Sequence, residues 1–124
     1  MRNIPFYFIA TSVVFALLGM GYGMYMAGSE NHLLASAHAH NNLLGFVAMA
    51  IYGFYYRAVP QAVTGLSIVH YWVALVASIL FPIGIGMAIL GISPLLAAIG
   101  GGLEIVAMLI FAVTIIRHRA ALAI

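Results

Sequence analysis

Five histidines and a glutamate carry most of the chemistry in this chain, because nearly everything around them is apolar. His38 and His40 fall two residues apart in Ala37-His38-Ala39-His40-Asn41-Asn42. His70 opens His70-Tyr71-Trp72, and Glu104 follows Gly100-Gly101-Gly102. Imidazoles hold metals or haem iron and exchange protons near neutral pH, and a carboxyl group can relay a proton. With no cysteine, thiolate ligands, disulfides and Cys-attached haem are excluded. His32 and His118 lie in polar or arginine-rich connections and read as solvated side chains or headgroup contacts.

These groups must be placed by hydrophobic helices. Of 124 residues, 66% are hydrophobic and 5% charged, with a mean hydropathy of +1.20. That composition excludes an ordinary soluble globule and a disordered chain. Between the six charged residues, Arg2, Glu30, Arg57, Glu104, Arg117 and Arg119, lie apolar stretches long enough to cross a bilayer, which takes about 20 residues. The expectation is an all-α polytopic membrane protein, a single domain over 1–124, with spans over about 5–27, 35–57, 65–90 and 94–116. Gly28-Ser29-Glu30-Asn31, Pro60-Gln61 and Gly91-Ile92-Ser93-Pro94 provide the breaks. The apolar core of the first span exceeds that of a secretory signal, so it reads as a retained helix.

Arginine placement sets the direction. Arg2, Arg57 and Arg117/Arg119 flank alternate ends of the spans, and the loops over 28–34 and 91–93 contain no arginine. The positive-inside rule therefore predicts cytoplasmic N- and C-termini and an antiparallel four-helix bundle. A bacterial inner (plasma) membrane suits this pattern. The net charge of +2 reports orientation rather than nucleic-acid binding.

On an α-helix, residues two apart are rotated by about 200°, so His38 and His40 point to nearly opposite faces and cannot share one metal ion. They can serve two sites, one on each side. Gly45, Met49, Tyr52 and Tyr56 continue the His38 face, and a glycine seven residues after a histidine leaves a slot that a flat macrocycle could fill. Leu44, Val47, Ile51 and Phe54 continue the His40 face. The competing reading puts both imidazoles among lipid headgroups, with Gly45 and Gly53 only easing helix packing.

The stretch from Ala37 through Pro60, with Ala37-His38-Ala39-His40, Gly53 and Pro60, resembles the tenth transmembrane helix of haem-copper oxidase subunit I. His70-Tyr71-Trp72 with Phe81-Pro82 is similar to the helix that follows it there, and the glycine-rich first span looks like the one before. The resemblance covers one four-helix unit, about a third of such a subunit. It implies that the two histidines of the pair ligate haem iron on opposite sides of the helix. It supplies no counterpart for the copper ligands or the modified tyrosine of that family, so oxygen reduction by the chain alone is not expected. Because that subunit has three arcs of four helices, a homotrimer is expected, with a dimer as the alternative. Each interface would hold a haem b between His38 of one copy and His40 of the next.

The expected function is therefore bis-histidine electron transfer, with no enzyme activity on its own and an unspecified redox partner. Asn41 and Asn42 are candidates to orient the imidazoles or meet the haem propionates. His70 enters from the opposite end, on the order of 20 Å away in depth; it reads as a structural hydrogen bond, with a quinone or proton role as the alternative. Glu104, near mid-span, is expected to be a neutral acid bonded across a helix interface, or a proton relay. Two other classes stay open: a transition-metal binder or transporter using the histidines, seven methionines and Glu104, and a structural subunit of a respiratory complex.

Overall fold

The computed structural model describes residues 3–123, and these form an all-helical chain. Helix α1 (Ile4–Ser29) starts with Pro5 in its first turn, where the missing N–H costs nothing. It ends at Glu30, whose left-handed φ of 55° turns the chain. The next helical run, α2, covers 35–58 in three joined pieces: Ala35–His40 is α, Asn41–Ala48 is π, and Met49–Ala58 is α again. A 3-10 turn, Pro60–Ala62, leads to α3 (Gly65–Ile89), whose first turn is capped by the Thr64 hydroxyl accepting from the Leu66 N–H at 3.3 Å. Gly91, with φ 73°, makes the tight turn into α4 (Leu95–Arg117).

Three of these helices, α1, α3 and α4, are long and apolar enough to cross a membrane. All three match their expected spans to within a few residues. The second span is helical over its expected length but not uniformly α. Its π segment was not expected, and tertiary contacts account for its setting. The Asn41 amide donates to the Phe15 carbonyl of α1 at 3.1 Å, and the Phe15 ring lies directly on Gly45. A π segment inside an α-helix is rare and is frequently found at functional sites.

Helices α1 and α2 pair as one antiparallel hairpin and α3 and α4 as another. At the end that carries Asn3, the 59–64 connection and Arg117, the two hairpins share a core of Phe8, Met49, Tyr52, Tyr56, Ala74 and Phe111. Toward the other end, glycines bring backbones together instead. A Cβ at Gly100 would stand 2.6 Å from the Phe81 backbone, and one at Gly84 would collide with Ala97. Gly100 and Gly101 thus allow a close approach of α3 and α4 at Phe81. Leu17, Trp72, Ile105, Leu109 and Ile116 point outward, the arrangement of a surface turned toward lipid.

Candidate functional site

His38 and His40 sit on the second turn of α2, and they do face different neighbours. The His38 ring lies against α1: its Cε1 would be 3.4 Å from a Cβ on Gly23, and its ring centre is 6.0 Å from that of Tyr22. The His40 ring lies against α3, 5.1 Å from Phe81.

The hydrogen bonds fix the two tautomers. His40 Nδ1 is 2.7 Å from the Ser36 carbonyl. A carbonyl only accepts, so Nδ1 carries the proton and Nε2 keeps its lone pair. His38 is set by a longer chain of contacts. The Phe15 carbonyl requires the Asn41 nitrogen, which also meets Asn42 Oδ1 at 3.3 Å. That leaves Asn42 Nδ2 to donate to His38 Nε2 at 3.3 Å. The proton of His38 is then on Nδ1, which is buried and has no partner among the described residues. Asn42 thus meets the His38 imidazole directly, while Asn41 is tied to the Phe15 carbonyl of α1 and to Asn42. Gly19 is required by this network, since any Cβ there would collide with the Asn42 side chain.

An iron ligand must offer a bare nitrogen, ideally with the other ring N–H held by a carbonyl. His40 meets that description. His38 as found does not: Asn42 occupies its Nε2 and the α1 backbone at Gly23 backs the ring. The slot expected beside Gly45 is filled by Phe15, while Met49 and Tyr52 are in the core at 0% and 2% exposure. Among the described residues, no group of three His, Asp or Glu side chains is placed to hold a metal ion. Two imidazoles suffice for a haem, and within one copy His38 and His40 do not converge.

The other ionisable residues lie deeper. His70 is fully buried, and its Nδ1 is 2.9 Å from the Tyr56 hydroxyl. The rings of Tyr52 and Phe8 stand 4.5 and 5.2 Å from it, and Phe111 stacks at 5.8 Å. Its Nε2 has no partner among the described residues. The sequence pointed to a structural hydrogen bond but not to its partner; the signal was Tyr52 and Tyr56, spaced i,i+4 on the inward face. Glu104 is buried and its Oε1 accepts from the Ser78 hydroxyl at 3.1 Å, across the α3–α4 interface. Ser78 was not singled out, although a serine in an otherwise apolar run needs a partner. His32 is exposed, and His118 donates from Nδ1 to the Thr114 carbonyl at 2.9 Å.

A groove opens between α1 and α3 with α2 as its floor. Its upper part, about 250 Å³, is lined by Gly19, Tyr22, Ala37 and His38. Its lower part, about 510 Å³, is lined by Val14, Leu75, Ser78 and Ile79. Leu18, Asn41, Pro82 and Ile83 belong to both parts. A hydrogen bond between the Thr11 and Tyr71 hydroxyls, 2.9 Å, bridges the two walls at the lower end.

Comparison of the chain with protein-family models, curated proteins and solved structures found no match.

Proposed function

We propose that this chain is a membrane protein of four antiparallel spans, both termini cytoplasmic, that binds haem b between copies of itself and transfers electrons through it. The observation that carries the reading is His40, whose Nδ1–H is held by the Ser36 carbonyl so that Nε2 keeps the lone pair with which it would hold a haem iron. The resemblance to the tenth helix of haem-copper oxidase subunit I supports the same residue. Arginines at alternate span ends support the topology, and a bacterial inner membrane suits it.

Since the two imidazoles of one chain face apart, a second histidine to hold the haem would come from another copy, in a trimer or a dimer. His38 of the neighbour fills that role only after its ring leaves Asn42 and turns away from α1. Bound haem supplies a one-electron couple whose potential the axial ligands tune. A haem held by two histidines would favour electron transfer over oxygen chemistry. A metal-transport path has less support, because His38, His40, His70 and Glu104 are dispersed along the bundle and no three potential ligands gather among the described residues.

The test is the absorption spectrum of the protein purified with haem supplementation, with haem counted per chain and the mass of the complex measured. A Soret band lost in His40→Ala is expected. Loss in His38→Ala as well identifies the opposite ligand as His38; retention there points to His40 of a second copy. A pale wild-type protein overturns the proposal.

A further inference from the structure

One end of the bundle carries cations without counter-charge. The only acidic residues of the sequence are Glu30 and Glu104. Glu30 closes α1 at the opposite end, and Glu104 is buried in the bundle against Ser78. Arg57, exposed on the last turn of α2, therefore has no acidic side chain at its own end to pair with. A pocket of about 530 Å³ opens beside it, between the start of α1, the end of α2 and the connection that follows. Asn3, Pro5, Phe6, Arg57, Pro60 and Val63 line it. One cation and one amide thus stand beside two proline rings, a phenyl ring and an isopropyl group. Phe6 is exposed and continues the apolar wall onto the outer surface of α1. Tyr7 and Trp72, also exposed near this end, mark the membrane–water interface, where aromatic side chains settle.

We propose that this pocket binds a phospholipid whose only charge is its phosphate, with the phosphate on Arg57 and the glycerol and first acyl carbons against Phe6, Pro60 and Val63. A guanidinium donates paired hydrogen bonds to phosphate oxygens. The apolar remainder of the lining matches hydrocarbon attached to that anion, which a free phosphate lacks. A zwitterionic lipid offers the same phosphate, but its ammonium group finds no acidic side chain at this end. Charge therefore selects the anionic lipid, as it does in other basic pockets between membrane helices. Pocket 59–64 chemistry of this kind is absent from the groove between α1 and α3, whose lining contains no arginine. This inference goes beyond the haem reading and rests only on the helices crossing a bilayer.

The experiment titrates the full chain in neutral detergent with phosphatidylglycerol or with phosphatidylethanolamine of the same acyl chains, counting bound lipid by native mass spectrometry. Neutral micelles remove the general attraction between arginines and an anionic surface, so a bound lipid reports a site. Phosphatidylglycerol should bind more tightly than phosphatidylethanolamine. Arg57→Gln should weaken it about tenfold, the usual worth of a hydrogen bond to a charged group, and Arg57→Lys should keep most of the affinity. Val63→Trp, which fills the pocket without changing charge, should also weaken it. Arg119→Gln, exposed at the same end but outside the pocket, should leave binding unchanged. Equal binding of the two lipids by the unaltered chain overturns the proposal, and that comparison needs no variant to fold. Equal losses in Arg57→Gln and Arg119→Gln overturn it too, as does displacement of the lipid by an equal concentration of glycerol phosphate. Helix content by circular dichroism verifies the fold of each variant. Haem measured in the same samples keeps the two readings apart, since a pale protein that retains the lipid preference overturns electron transfer alone.

Discussion

His70 and His38 occupy opposite ends of one bundle, and their surroundings differ in kind. His70 is at 0% exposure inside a box of Phe8, Tyr52, Tyr56 and Phe111, with a short bond to the Tyr56 hydroxyl. His38 is half-buried beside a groove, with a long bond to Asn42. The first environment is packed on all sides, so its side chains should contribute strongly to stability. The second is open on one side, so changes there should alter what binds more than whether the chain folds. Chemistry-bearing residues in a hydrophobic protein thus divide into those that complete a core and those that stand at an opening.

That contrast can be broken in order of effect, using unfolding in mixed micelles with sodium dodecyl sulfate. His70→Ala should be the most damaging, at about 3 kcal/mol, because it leaves a cavity among four rings and an unpaired Tyr56 hydroxyl. Gly100→Val should cost about 2–3 kcal/mol, since its Cβ meets the Phe81 backbone, which cannot move without separating α3 from α4. Tyr56→Phe should cost about 1–2 kcal/mol by orphaning His70 Nδ1, and adding it to His70→Leu should cost less than the two single changes summed. At the small end, Tyr71→Phe should cost about 0.6 kcal/mol, the usual worth of a hydrogen bond between helices in a membrane. If His38→Ala destabilised the fold as much as His70→Ala, the contrast would collapse.

The helices were legible in the sequence because their determinants are local. Proline and glycine breaks and the length of each apolar run placed α1, α3 and α4 within a few residues of where they lie. The opposed directions of His38 and His40 were legible for the same reason, since both sit on one short α segment before the π segment begins. The interhelical role of Glu104 followed from the cost of burying a carboxyl group without a partner.

The amino-acid order by itself determined which segments are helical and which residues carry chemistry, because apolar run length and helical period are properties of consecutive residues. Only the tertiary structure decided that Phe15 fills the space beside Gly45, that Asn42 holds His38, that Tyr56 meets His70, and that a groove separates α1 from α3. Each of these depends on how far apart two helices stand and how they are rotated. Those quantities come from the fit of side chains across an interface, which no stretch of neighbouring residues encodes.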